Sequence, residues 1–355
     1  MQINRHPKNS LNSEVENISL EGYKFNWFDW FCVWYPPGWL ILFNRHWQHY
    51  HEDPDGWNWL EYLLFLIPAG FYIALFIRWL RLGFRPPKRR HSAFNPQYQQ
   101  AFREEILAPI VKSYFRAELH LSENLPKSEN IIFAMNHAGM CFPWDFVVLG
   151  YLLAEKKGWI VQPLAGVSLF EHPWMIWWLP SGWSQVLGGI KAQKKDFQSA
   201  VEQNRILLYA PEGLRGPSKG WGKRYQLEKF DPSFIHISQK NCMKIVPVIC
   251  IGNENLHPWT INISRLQRKL QNLLKLPFLP LSPLLPIFML FPSMGVWAAK
   301  SRLHYFIESW IEAEAIESLQ TTEETNLRKK IYCQAQKLRA QMQEQINIRL
   351  KLIKP

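Results

Sequence analysis

The sequence predicts an α/β fold, a mostly buried central sheet flanked by helices, with an apolar N-terminal segment that attaches it to membrane. Three observations carry this. Apolar runs beginning at Ile131, Ile206 and Lys244 read as buried strands, with helix-length stretches between them. The first two end in polar and glycine-rich motifs, as strands do where a sheet opens onto a site. Residues 62–77, by contrast, are sixteen consecutive apolar residues just ahead of a basic cluster.

In chain order, residues 1–22 are polar and read as a disordered N-terminus. Residues 23–90 form a membrane-associated region. Its aromatic-rich start is broken by Pro36-Pro37-Gly38, so that part is expected to lie on a membrane rather than cross it. As a helix, 62–77 would cover ~24 Å, short of a ~30 Å hydrocarbon core. Adding the flanking tryptophans gives the length of a transmembrane helix, so the segment either crosses the bilayer or enters one leaflet, with Pro68 and Gly70 predicting a kink. Arg78, Arg81, Arg85, Lys88, Arg89 and Arg90 follow it and place that end on the cytosolic side. Residues 91–355 form the α/β domain, entered through the linker 85–90. It ends in a surface helix at about 323–352.

Two later segments also read as membrane-facing. Leu266, Leu270, Leu273 and Leu274 recur at helical spacing among Arg265, Arg268, Lys269 and Lys275, which is a basic amphipathic helix. Leu276–Ala299 is apolar but carries Pro277, Pro280, Pro283, Pro286 and Pro292, so it reads as a loop. The run 173–180, rich in tryptophan, fits either the lining of an apolar channel or core packing.

A formal charge of +12 with 18 tryptophans suits an anionic membrane surface. Nucleic acid is excluded as a partner, because no such motif is visible and the aromatics cluster with aliphatics. Five cysteines, at 32, 141, 242, 250 and 333, show no metal-type spacing and read as buried thiols of a reduced compartment. His172, His236, His257 and His304 likewise show no metal-like grouping.

The chemistry lies at the strand ends. The run 131–135 delivers Asn136 and His137, and Asp145 follows just before a helix starting at Phe146. A histidine with a carboxylate in reach suits proton removal from a hydroxyl, the carboxylate fixing the tautomer. Asp145 is equally placed to cap that helix, and one carboxylate can do both. The second run ends in Pro211-Glu212-Gly213-Leu214-Arg215-Gly216. There the glycines allow a tight turn, and Arg215 offers a planar fork for phosphate or carboxylate oxygens, or is a solvated loop residue.

Taken in order, Asn136-His137 with Asp145, the 211–216 motif and Val246-Pro247-Val248 resemble the lysophospholipid acyltransferase superfamily. That family's usual motif is His, four residues, Asp. Here seven residues intervene and Phe142 takes the usual Asp position. The longer gap, and the segments 277–283 and 302–311, are similar to its diacylglycerol acyltransferase-like and phytyl ester synthase-like branch.

The resemblance implies a membrane-bound O-acyltransferase. It would move a fatty acyl group from acyl-CoA or acyl-carrier protein to a glycerolipid hydroxyl, of lysophosphatidate or diacylglycerol type. His137 and Asp145 are then catalytic, and Asn136, Gly139, Glu212, Gly213, Arg215 and Lys194 bind substrate. No metal or redox cofactor is expected. The partners are the lipid acceptor, the acyl thioester, acyl-carrier protein and the membrane surface. A long-chain alcohol or quinol is the alternative acceptor, and a non-catalytic lipid-binding relative is the alternative class. A lipid hydrolase lacks its Gly-x-Ser-x-Gly elbow here.

Overall fold

The computed structural model describes residues 21–91, 93–121, 125–126, 130–138, 142–165, 172–191, 193–203, 205–274, 281–312 and 324–353. The helices are α1 (Trp27–Trp34), α2 (Trp39–Tyr50), α3 (Trp59–Phe65), α4 (Gly70–Arg81) and α5 (Pro96–Ala101), the last continuing in wider turns to Phe115. Then come β1 (Glu118–His120), β2 (Ile131–Met135), α6 (Trp144–Lys157), β3 (Val161–Ala165), α7 (Trp183–Val186), β4 (Ile190–Lys191) and α8 (Lys194–Glu202). β5 (Ile206–Tyr209), α9 (Arg215–Ser218), α10 (Ser233–Lys240), β6 (Lys244–Ile251), α11 (Ser264–Leu274), α12 (Leu285–Leu290), β7 (His304–Ile307) and α13 (Glu324–Leu352) complete the chain.

The strands form one sheet in the order β1-β7-β6-β2-β5-β3-β4. Every neighbouring pair is parallel except β6 and β7. The sheet is therefore mixed, with β2 at its centre between β5 and β6. All five residues of β2 are buried, as a strand covered on both faces requires. Such a sheet presents its ligand site beyond the carboxyl ends of its strands, which is where β2 delivers His137.

The N-terminal helices pack into the same core as the sheet. Trp39 is fully buried, and its ring meets Trp144 edge-on at a centroid distance of 4.8 Å. Each indole N–H finds a carbonyl, Trp39 at Val33 and Trp144 at Val296, so burial leaves neither donor unpaired.

Residues 62–77 do not form the single long helix expected. The run splits into α3 and α4, which fold back on each other. Ala69 takes a left-handed conformation with φ 59°, and Pro68 precedes it. Gly70 closes the turn so tightly that a Cβ there would lie 2.0 Å from the Leu64 carbonyl oxygen. Among the described residues, no helix is long and apolar enough to cross a membrane.

The arginines after this run are also not free flanking charges. Arg81 pairs with Glu61, Arg85 with Asp55 and Arg89 with Asp53, while Arg78 is buried and donates to the Asp55 and Trp177 carbonyls. The hairpin is thus fastened from beneath by arginines and presents its other side outward. On that side Trp59, Leu63, Ile67, Ile73, Phe76 and Trp79 are exposed. α12 extends the surface, because Ala69 N–H donates to the Leu290 carbonyl and Tyr72 OH to that of Met289.

The basic amphipathic segment forms α11 and the C-terminal one forms α13, close to the expected bounds. The 173–180 run forms a short turn whose Trp177 and Trp178 carbonyls accept from Arg78 and Asn44, which ties it to the N-terminal helices.

Candidate active site

β2 ends at Met135, and the next two residues turn opposite ways. Asn136 points inward: its Nδ2 donates to the Cys250 carbonyl at 2.9 Å, and its Oδ1 accepts from Cys250 N–H at 2.7 Å. Expected to bind substrate, Asn136 is 2 % exposed, and its amide locks the end of β2 to β6. His137 is left at the strand end with its side chain 17 % exposed.

Asp145 comes from the first turn of α6. Its Oδ1 and Oδ2 lie 3.1 and 3.0 Å from His137 Nδ1. The helix begins at Trp144, two residues earlier than expected, so Asp145 sits within the first turn rather than at the N-cap. Its carboxylate serves both the loop and the helix start, since Oδ2 accepts from Ala138 N–H at 2.9 Å and Oδ1 from Phe146 N–H at 3.0 Å. Two residues that the sequence reading passed over hold it. Asn253, just beyond β6, reaches Asp145 Oδ2 at 3.4 Å and the Asn136 carbonyl at 3.3 Å. Tyr305 on β7 donates its hydroxyl to the Asp145 carbonyl at 2.8 Å. The position of Asn253 straight after a buried strand was the available signal; nothing in the sequence marks Tyr305.

Burial works against charge on His137, but the Asp145 carboxylate and its hydrogen bond, with a contribution from Glu212, outweigh it and raise the histidine's pKa above the ordinary 6.5. With Nδ1 committed to Asp145, Nε2 is the ring atom available to a substrate hydroxyl.

The 211–216 loop closes the site from β5. Gly216 lies directly on the His137 backbone, where a Cβ would come within 2.5 Å of its carbonyl oxygen. Glu212 is buried, and its Oε2 accepts from Glu228 N–H at 2.7 Å. Among the described residues its Oε1 has no hydrogen-bond partner, and burial pushes the carboxyl up. Gly213 stands exposed at the turn, with φ 56°. Arg215 is exposed, its Nε 3.4 Å from the Glu212 carbonyl.

Of the remaining site residues, Gly139 lies outside the described residues, as does Cys141. Lys194 opens α8, and its side chain is outside the described part. Away from this site, Glu118, His120 and His304 bring donor atoms within 4.8 Å of one another, a grouping that spacing along the chain does not show. Arg302 and His304 Nδ1 already hold the Glu118 carboxylate, which accounts for the cluster as an ion-pair group.

Residues 116–251 match the family model described as Acyltransferase. Uncharacterized proteins of Mycobacterium tuberculosis and Mycobacterium bovis are each 26% identical over 178 residues, a match covering 49% of this chain and 48% of theirs. The chain thus spans about half the length of the curated relatives it matches. Among solved structures, it is similar to the 1-acyl-sn-glycerophosphate (LPA) acyltransferase PlsC from Thermotoga maritima. There the identity is 13% and the TM-score 0.36, over 85% of this chain and 96% of that one. The matched segment contains β2, the His137–Asp145 pair, the Glu212 loop and β6, so the site lies within the part of the chain that is similar to the Acyltransferase family.

Proposed function

We propose that this protein is a membrane-bound O-acyltransferase that moves a fatty acyl group from acyl-CoA or acyl-carrier protein to the hydroxyl of a glycerolipid. The observation that carries the reading is the hydrogen-bonded pair of His137 Nδ1 and the buried Asp145 carboxylate. Asp145 keeps the Nδ1–H tautomer, so Nε2 takes the proton as the acceptor oxygen attacks the thioester carbonyl. The tetrahedral intermediate then collapses. The C–S bond breaks, and the histidine returns its proton to the leaving thiolate.

A non-catalytic role drew its support from the seven-residue gap between His137 and Asp145. The gap does not separate the pair, so that support is gone.

The acceptor and the membrane surface come together through the outward face of α3, α4 and α12. An exposed apolar area of this kind marks an interaction surface, and a lipid leaflet is the partner for an enzyme of lipid acceptors. With Arg81, Arg85 and Arg89 paired internally, a cytosolic orientation is argued from the donors, which are cytosolic thioesters.

The test is to incubate vesicle-bound protein with labelled acyl-CoA or acyl-carrier protein and a panel of lysophosphatidate, diacylglycerol and a long-chain alcohol. Transfer to a glycerolipid is expected. Release of free fatty acid alone, or transfer only to the alcohol, would overturn the reading.

A further inference from the structure

Lys219 is the residue near this site that its sequence context explains least. It follows α9 in a glycine-rich, basic stretch where lysines are ordinarily solvated, yet only 2 % of its side chain is exposed. Its Nζ lies 2.6 Å from Glu254 Oε1 and 3.9 Å from Glu212 Oε2. The carboxylates come from different places. Glu212 begins the loop after β5, and Glu254 lies in the turn Asn253–Leu256 after β6. Glu254 is itself fixed, since its Oε1 accepts from Tyr225 N–H at 3.0 Å, and the Tyr225 hydroxyl accepts from Gly252 N–H at 3.1 Å.

Charges taken out of water must be paired, and two buried carboxylates here share one ammonium. Lys219 is therefore the counterion that lets Glu212 and Glu254 approach each other. Glu212 heads the loop whose Gly216 rests on the His137 backbone. Movement of Glu212 is thus passed to the histidine through packed backbone.

We propose that Lys219 is a positioning residue for acyl transfer: held between Glu254 and Glu212, it fixes the 212–216 loop against His137. The inference rests on the acyl-transfer reading above. The charged groups acting on His137 are Asp145 from α6 with Glu212 and Lys219 from the loop, while Glu254 acts on Glu212. Lys219 also opposes the effect of burial on the Glu212 carboxyl, so its removal leaves that carboxyl to take up a proton.

The test uses the full chain in vesicles, comparing Lys219→Met, Lys219→Arg and Lys219→Met/Glu254→Gln. Lys219→Met is expected to lose on the order of 10²-fold in kcat/KM, the effect of a misplaced catalytic group. Lys219→Arg recovers most of it. Lys219→Met/Glu254→Gln, which leaves no unpaired Glu254, folds with a wild-type melting profile but stays impaired. Infrared spectra of Lys219→Met gain the C=O band of a protonated buried carboxylic acid at neutral pH, and adding Glu212→Gln removes it. Wild-type turnover in Lys219→Met, full rescue by Glu254→Gln, or absence of the band would each overturn the proposal. The infrared arm needs no turnover. An inactive wild-type protein would therefore count against acyl transfer, and a missing band against Lys219.

Discussion

His137 Nδ1 lies 3.0 Å from Asp145 Oδ2, although seven residues separate the two in the chain where the motif it resembles has four. Phe142, at the usual Asp position, is instead buried against Trp144 and Phe43. α6 begins at Trp144 and brings the Asp145 carboxylate within reach of the ring.

The pair predicts its own mutants. Under the proposed mechanism, His137→Ala removes the general base and lowers kcat by ~10²–10⁴-fold, with folding and vesicle binding retained. Asp145→Asn is also strongly impaired, because an amide no longer holds the Nδ1–H tautomer. Steady-state rates beside far-ultraviolet circular dichroism check both, and a His137→Ala protein with wild-type turnover refutes the mechanism.

The raised His137 pKa sets a pH dependence. A general base works unprotonated, so kcat/KM rises with pH along a limb centred above 6.5. The sign for stability is opposite. A folded-state pKa above the unfolded value means that protonated His137 stabilises the fold below 6.5, and this contribution is lost as pH rises through the folded pKa. Melting of wild type against His137→Gln across that range reads the second effect. A rate limb centred below 6.5 contradicts the electrostatics described.

Much of the sheet was legible because buried strands carry continuous apolar runs. β2, β5 and β6 are of that kind, and β6 occupies Lys244–Ile251, the bounds the sequence indicated. The edge pair β1 and β4 escaped notice because they are three and two residues long, too short for a periodic signal. His137, Asp145 and Glu212 were singled out through ordered motifs, and the fold brings the first two into hydrogen-bond contact. Asn136 was found but assigned the wrong surroundings, since a polar residue at a strand end looks the same whether it faces a ligand or a neighbouring backbone. Asn253, Tyr305 and Lys219 belong to the site only through contacts across the fold, which no local pattern encodes. The 62–77 run misled for a related reason. Its hydropathy was read, but the left-handed Ala69 and the close approach at Gly70 decide the fold-back.

Arg215 separates the acceptor classes. It is exposed, with its Nε near the Glu212 carbonyl, so its guanidinium fork is placed to meet a ligand at the loop. For a phosphorylated acceptor, Arg215→Ala raises KM by about tenfold or more, and Arg215→Lys restores only part, because a point charge lacks the bidentate geometry. Kinetics with lysophosphatidate and diacylglycerol side by side provide the check. If both acceptors are affected equally, Arg215 serves the loop and does not read phosphate.

The outward face of the hairpin predicts how the protein holds a membrane. Truncation is a poor probe, because α2 lies inside the shared core and its loss would unfold the domain. Point changes on the exposed side are cleaner. Phe76 and Trp79 are 55% and 40% exposed, so glutamate at either position leaves the core intact. Burying one such side chain in lipid is worth roughly 1.5–3 kcal/mol. Phe76→Glu/Trp79→Glu should therefore weaken vesicle partitioning by on the order of 10²-fold or more, with an unchanged melting temperature. Salt should matter far less, because apolar insertion is not screened and Arg81, Arg85 and Arg89 are already paired within the chain. Vesicle flotation at low and high ionic strength makes the comparison. Release of the wild-type protein by salt alone, or wild-type flotation of the double variant, would show that this face does not enter the lipid.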